Sequence, residues 1–392
     1  MSDSLLFQPI KLREVTLKNR IVVSPMCQYS AVDGVANDWH LVHLGKFAQG
    51  GVGAIILEAT AVTAEGRITH GDLGLWDDAQ IAPLKRITDF LRQTGTIAGV
   101  QLGHAGRKGS MERPWFGNGP LNEEDFSRGD MPWPTVAASD VPVDSHWQTP
   151  SSASKDDLAK IKYAFGEAAK RALKAGFEIA EVHAAHGYLL HSFLSPLANF
   201  RTDEYGGSLE NRMRFPLEVV KHIREFWPAD KPLFFRCSAI DDYDGGWTIE
   251  DSLVLSKELD LLGVDVIDCS SAGIYDSATG ASKNMPRSPR VPGFQVPLAQ
   301  QIQAQTGIKT MAVGLILDGQ QAEQILQDQK ATLIAIGREV LYNPNWALHA
   351  ARDLGIDPNY EQWPKQYGWW LTRRESMLAK QAIEHTHQLV KS

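Results

Sequence analysis

Short apolar runs rich in β-branched residues recur along this chain, separated by longer stretches whose apolar positions repeat with a helical period. The runs fall at 21–23, 54–58, 97–102, 179–183, 233–236, 264–268, 310–313 and 333–336. Alternation of this kind is the pattern of a parallel α/β sheet. Eight strands predict a closed (β/α)8 TIM barrel in the α/β class rather than an open, doubly wound sheet. Helix signals lie between the runs. Ser154 opens a segment with acidic residues in its first turn, and Gly176 follows its end. Ser208 precedes 209–227, which Pro228 stops; Thr248 begins 249–262, which Gly263 follows; Asp318 starts the helix before the last strand.

Two stretches break the rhythm. Residues 107–153, after the third strand, are rich in Pro, Trp, Gly and Asp. So long an insertion is expected to be a functional excursion over a site, the plainer reading being a variable surface loop. The tail carries Trp363, Tyr367, Trp369 and Trp370, then a polar helical stretch to Ser392. No linker separates two domains, so residues 1–357 are read as one barrel and 358–392 as a tail that docks on something.

Composition narrows the function classes. The chain has 392 residues, with 39 Lys and Arg against 47 Asp and Glu, a formal charge of -8. That balance opposes nucleic acid or an anionic membrane as partner. The three cysteines, Cys27, Cys237 and Cys269, are too few and too scattered for a disulfide framework or a four-thiolate cluster. No apolar run approaches the ~20 residues of a spanning helix. The amino terminus lacks the basic start and apolar core of a signal peptide, so a cytoplasmic protein is expected.

In such barrels the chemistry lies at the C-terminal strand ends. The first end supplies Ser24, Pro25, Met26, Cys27 and Tyr29; the second Ala59 and Thr60; the third Gln101 and His104. The fourth supplies His183, His186 and Tyr188, the fifth Arg236, and the sixth Ser270 and Ser271. The seventh and eighth supply Gly314, Gly337 and Arg338, residues suited to a phosphate because glycines permit close backbone approach and Arg adds a charge-assisted partner. The patterns GxGxxG and GxxxxGK[ST] are absent, so a pyridine nucleotide, if used, is not held in a Rossmann fold. The i, i+3 spacing of His183 and His186 places both rings on one side of a helical turn, where they could grip one ligand oxygen. It also suits a metal or a structural pair, although carboxylates to complete a metal site are few. Tyr188 is a plausible general acid. Cys27 is read as a ligand contact, or else as a small core residue; Cys237 and Cys269 are read as packing.

Four stretches carry a resemblance: Ser24-Pro-Met-Cys-Gln-Tyr29, Gln101-Leu-Gly-His-Ala-Gly-Arg-Lys108, His183-Ala-Ala-His-Gly-Tyr188 and Arg201-Thr-Asp-Glu-Tyr-Gly-Gly-Ser-Leu-Glu-Asn-Arg212. Together they resemble the Old Yellow Enzyme family of flavin ene-reductases, over about residues 6–353. The Cys27 form of the first motif looks like the thermophilic-like branch, which includes NADPH dehydrogenases and xenobiotic reductases. The resemblance implies non-covalent FMN, with NADPH or NADH as hydride donor. It assigns Ser24, Pro25, Met26, Cys27 and Ala59 to the flavin ring, and Gln101 and Arg236 to its pyrimidine edge. It assigns Gly314, Gly337 and Arg338 to the phosphate. His183 and His186 would hold the substrate carbonyl, Tyr29 would line the pocket, and Tyr188 would donate the proton. The implied reaction is ping-pong reduction of an activated C=C bond in an enone, with nitro compounds as a further class. The implied assembly is a homodimer or homotetramer. The tail departs from the family members that carry an Arg there; Trp370 aligns with a Trp that covers the flavin in related reductases, in this subunit or a neighbour. The competing readings are a dienoyl-CoA reductase, a phosphate-binding barrel lyase or isomerase without flavin, and a protein that stores or senses FMN without turnover.

Overall fold

Eight consecutive parallel strands close on themselves: β1 (Ile21–Val23), β2 (Ala54–Ala61), β3 (Ile97–Gly103), β4 (Ile179–Ala184), β5 (Leu233–Ser238), β6 (Val266–Ser270), β7 (Lys309–Ala312) and β8 (Leu333–Ile336). The expected (β/α)8 barrel is therefore the fold, here in a computed structural model that describes residues 4–275 and 288–389, with side chains as far as 381. The helices that follow the strands are α1 (Asp38–Gln49), α2 (Ile81–Gln93), α3 (Lys155–Lys174), α4 (Leu209–Phe226), α5 (Ile249–Leu261), α6 (Val296–Thr306), α7 (Gly319–Gln327) and α8 (Trp346–Asp353). Ser154, Ser208, Thr248 and Asp318 cap α3, α4, α5 and α7 through their side chains, each satisfying an amide that the first turn leaves unpaired. Strand ends differ from expectation by one to three residues in six of the eight strands, and two of the differences have a visible cause. Strand β2 runs three residues further, through a register shift between Leu57 and Ala59, and β6 begins at Val266 because Val264 still belongs to the turn after α5.

Period-2 alternation sorts every strand into two shells. Ala180 and Val182 on β4, Phe235 and Cys237 on β5, and Ile267 and Cys269 on β6 join the apolar layer between barrel and helices. The opposite face builds the interior. Its floor is Val22, Ile56, Ile179, Phe234, Val266 and Met311, sealed from below by the antiparallel pair Ile10–Leu12 and Val15–Leu17. Two residues higher the same faces carry Glu181, Arg236 and Asp268, and two higher again His183, Ser238 and Ser270, all buried. Thus the interior changes from apolar to polar toward the strand ends.

The excursion is anchored through its first residues. Arg107 is fully buried and donates to the carbonyls of Val141 (3.2 Å), Pro142 (3.3 Å) and Ile274 (2.5 Å). Val143 and Trp147 cluster with Ile68, Ala105 and Met111, and the side chains of Cys27, Ala59 and Tyr188 pack against that cluster. The tail forms α9 (Lys365–Leu389), held to the barrel by Tyr360 and Trp363 packed on Leu348. Tyr367, Trp369 and Trp370 are not the anchors; they stand exposed along α9. Among the described residues no helix is long and apolar enough to cross a membrane.

Candidate active site

A cavity of about 380 Å³ opens at the C-terminal end of the barrel. Ser24, Pro25 and Met26 border it on one side and Gly314, Gly337 and Arg338 on another, with Arg236 and His186 between them. Gly314 has φ +114°, and a Cβ there would meet Gln295 Oε1 at 2.6 Å, so no side chain is tolerated. At Gly337 a Cβ would meet only Met26 Sδ, at 3.9 Å, and would fill open cavity instead. The Arg338 side chain is exposed and makes no hydrogen bond or ion pair among the described residues. Open backbone at Gly337 beside an unengaged guanidinium fits a phosphate.

Ala59, Gln101 and Glu181 stand level on β2, β3 and β4. Gln101 Nε2 donates to Glu181 Oε1 at 2.8 Å, which leaves the Gln101 carbonyl and its second N–H uncommitted in that bond. Arg236 donates to Ser24 Oγ at 3.2 Å and lies 3.2 Å from Asp268 Oδ2. Arg236 itself is level with His183 rather than with Glu181, so one amide and, a step higher, one guanidinium face the interior, a donor and acceptor set that fits a flavin pyrimidine edge.

Ala59, His183 and Tyr188 border a smaller adjoining cleft, together with His104. His183 is the last but one residue of β4, and its Nδ1 accepts the Ala185 amide at 3.2 Å, so its proton resides on Nε2. Burial and then Arg236 hold both His183 and His186 well below the usual imidazole range, so both rings are neutral N–H donors. The Tyr188 ring meets His183 edge-on at 4.9 Å, and the two imidazoles meet at 5.3 Å and 88°. The pair is not brought together by a helical turn: His183 is in a strand, whereas His186 has φ +59° in a left-handed turn. A Cβ on the following Gly187 would sit 2.3 Å from the Gly273 carbonyl. Because the loops after β4 and β6 touch backbone to backbone, His186 turns to Ser270, with Nε2 2.6 Å from its Oγ.

Burial pushes the Tyr188 phenol and the Cys27 thiol well up from their usual values, with Asp72 adding to both; each stays protonated at neutral pH. The Cys27–Tyr29 loop is held by Glu58, which accepts the Gln28 amide at 2.9 Å and faces His40 Nε2 at 3.5 Å. Tyr29 sits at φ +51° and meets Trp115 of the excursion edge-on at 5.9 Å. Trp370 is placed elsewhere. Its side chain is 64% exposed, packs edge-on against Trp369 and borders neither cavity, because α9 runs outside the barrel of its own chain.

Several residues at the site went unassigned from sequence. Lys108 donates to the carbonyls of His186 (2.9 Å) and Gly273 (2.5 Å), tying three strand-end loops together. His191 accepts the Gly187 amide on Nδ1 at 2.8 Å and faces Asp241 at 2.8 Å on its other nitrogen. Glu181 and Asp268 were legible by continuing the period-2 pattern downward from His183 and Ser270; a charged residue on the inward face of an apolar strand is the signal.

Open glycine backbone, an unengaged guanidinium, a buried amide and two imidazoles beside a phenol, gathered at the mouth of a closed α/β barrel, suit an enzyme that binds a phosphorylated aromatic cofactor. The family of NADH:flavin oxidoreductases and NADH oxidases matches residues 5–356, and the chain belongs to that family, the Old Yellow Enzyme family. It is 43% identical over 371 residues to an NADPH dehydrogenase of Geobacillus thermodenitrificans (strain NG80-2), covering 94% of this chain and 99% of the relative. Morphinone reductase superposes with TM-score 0.72 at 26% identity, covering 90% of each chain. The old yellow enzyme homologue of Zymomonas mobilis shares the fold with TM-score 0.70 at 24% identity, covering 93% of this chain and 98% of its own. The protein is accordingly a flavin oxidoreductase that uses FMN and a reduced nicotinamide nucleotide.

Proposed function

We propose that this enzyme is an NAD(P)H-dependent ene-reductase acting on the activated C=C bond of α,β-unsaturated carbonyl compounds, with nitro compounds as a second class. One observation carries the reading: the Ala185 amide fixes His183 Nδ1 as an acceptor, leaving Nε2–H as a donor at the cleft, 4.9 Å ring to ring from a protonated Tyr188. An N–H donor beside a phenol is what reduction of an enone demands, since charge gathers on the carbonyl oxygen while the α-carbon takes a proton. Bound FMN supplies the hydride relay between nicotinamide and substrate, which makes the kinetics ping-pong.

The chain's own residues divide the remaining work. Gly314, Gly337 and Arg338 hold the phosphate; Ser24, Pro25, Met26, Cys27 and Ala59 flank the ring; Gln101 and Arg236 hold its pyrimidine edge. His183 and His186 bind the carbonyl oxygen, Tyr29 lines the pocket and Tyr188 gives the proton. Burial of Tyr188 supports that role by keeping the proton in place until it is needed. We further propose a cytoplasmic homo-oligomer in which the exposed Trp369 and Trp370 reach a second copy of this chain. The test is a pair of anaerobic spectra. NADPH should bleach the flavin absorption of the purified protein, and cyclohexenone should restore it. Bleaching without restoration would leave an FMN-binding NADPH oxidant and refute the ene-reductase reading.

A further inference from the structure

At and below the level of His183 the barrel interior holds three ionisable groups, one of them a cation. Glu181 on β4, Arg236 on β5 and Asp268 on β6 are buried at 0%, 8% and 0% exposure. Arg236 pairs directly with Asp268, its neighbour in register, at 3.2 Å. Glu181 forms no ion pair; its Oε1 accepts the Gln101 amide, and its Oε2 has no partner. Among the described residues nothing else supplies a positive charge beside Glu181: the floor is Ile179, Phe234 and Val266, and His183 and His186 above are neutral. Cys237 and Cys269, the nearest titratable groups on β5 and β6, are thiols facing the outer shell. A second buried carboxylate would be uncompensated, and an unpaired charge in such a place is neutralised rather than tolerated.

We propose that Glu181 is a neutral carboxylic acid in the resting protein, and that this neutrality sets the charge beneath the pyrimidine edge of FMN. The inference rests on the FMN reading above. Burial pushes the Asp268 carboxyl up as well, but Arg236 at 3.2 Å draws it down, so Asp268 is the partner that keeps its charge; it cancels Arg236, and with Glu181 neutral the group carries no net charge and Gln101 is held by an uncharged acceptor. Ionisation of Glu181 places one uncompensated negative charge next to the residues that meet the cofactor. That charge weakens binding of the anionic cofactor and disfavours its reduction, which adds negative charge at the same edge. Burial, and then the Asp268 carboxylate, push Glu181 up to about 8, so the transition falls in an accessible range. Glu181 is a positioning residue: it touches Gln101 rather than the reacting atoms.

Infrared spectra and FMN titrations test this without turnover. In the apo-protein at pH 7, the carbonyl band of a buried carboxylic acid should be present, and Glu181→Gln should remove it. The FMN dissociation constant of the wild type should rise with pH above about 8, approaching a tenfold rise per pH unit. Glu181→Gln keeps the shape and the Gln101 hydrogen bond, and its dissociation constant should be level over the same range. Asp268→Asn should act in the opposite sense. With Arg236 released to pair with Glu181, the acid band should vanish at pH 7 and the transition should move to lower pH. An acid band that survives Glu181→Gln, or parallel pH profiles for wild type and Glu181→Gln with FMN bound normally, would overturn this proposal alone. Protein that binds no FMN at any pH would overturn the functional reading and the role of Glu181 with it.

Discussion

Tyr188→Phe should separate the two halves of the reaction. The substitution deletes one oxygen at the edge of the cleft and leaves the ring against His183. Among the described residues the phenol has no hydrogen-bond partner of its own to strand, so Tm should stay within about 2 °C of wild type. Oxidation of NADPH requires no acid, and flavin bleaching should proceed at the wild-type rate. Enone reduction should slow. A positioned general acid contributes about 100–10,000-fold, or about 2.7–5.4 kcal/mol of barrier. Tyr188 is half-buried rather than sealed, so water can take its place, and the lower part of that range, about 100–1,000-fold, is expected. Because burial raises the phenol, the wild-type oxidative rate should not fall from tyrosine ionisation below about pH 10, the ordinary value for that group. Anaerobic stopped-flow at the flavin absorption reads each half separately. Equal impairment of both halves, or an oxidative half that is unchanged, would refute the assignment.

Three further outcomes follow from the same geometry. His183→Ala should weaken phenols that mimic the enolate oxygen by at least about tenfold in flavin spectral titrations, because one of two neutral N–H donors is lost; unchanged affinity would remove His183 from the oxygen site. Cys27→Ala should shift the flavin potential and the enone rates while the protein stays folded, since Cys27 packs on the Tyr188 side of the cleft; an unaltered potential with a lowered Tm would make Cys27 a packing residue. Trp370→Ala, and truncation before Trp363, should change the preference between small and bulky enones with FMN still bound. Truncation should also lower the oligomer mass in light scattering, whereas a wild-type mass and substrate profile would make α9 a surface appendage.

Legibility followed the range of the interactions involved. All eight strands were readable because each is a short apolar run, and four helix starts because a Ser, Thr or Asp cap is a local signal. Site residues at strand ends were readable because the barrel fixes where those ends converge. Contacts decided by loop-to-loop approach were not. The spacing of His183 and His186 suggested a helical turn, yet the left-handed backbone at His186 arises from the loop after β6 pressing on it. The buried role of Arg107 depends on carbonyls 34, 35 and 167 residues away. Trp370 was placed by its likeness to a Trp over the flavin, but in its own chain α9 carries it outward.

The two loops that carry Cys27–Tyr29 and His186–Tyr188 are supported by one physical design. At each, a backbone amide donates to His Nδ1 and the opposite nitrogen faces a buried carboxylate. Asn37 donates to His40 at 3.1 Å, and His40 faces Glu58, which holds the Gln28 amide of the Cys27–Tyr29 loop. Gly187 donates at 2.8 Å to His191, which lies in the short helix Leu189–Leu194 that follows Tyr188, and His191 faces Asp241, just beyond the end of β5. The amide fixes the tautomer, so each ring can only donate toward its carboxylate and cannot flip without orphaning a buried N–H. For Asp241 the balance is settled. Burial raises its carboxyl, but His191, Ser195 Oγ and the Trp247 amide outweigh burial and leave it below the ordinary value. A carboxyl depressed in the folded state contributes its stability above the unfolded value and loses it only as pH falls through the folded one. The turn bearing His186 and Tyr188 is therefore held firm across neutral pH, while Glu181, raised in the folded state, behaves with the opposite sign. The barrel thus keeps the support of the His186–Tyr188 turn insensitive to pH near neutrality, while burial raises Glu58 and Asp72 at the first loop and Glu181 within the barrel, where protonation is the favoured state.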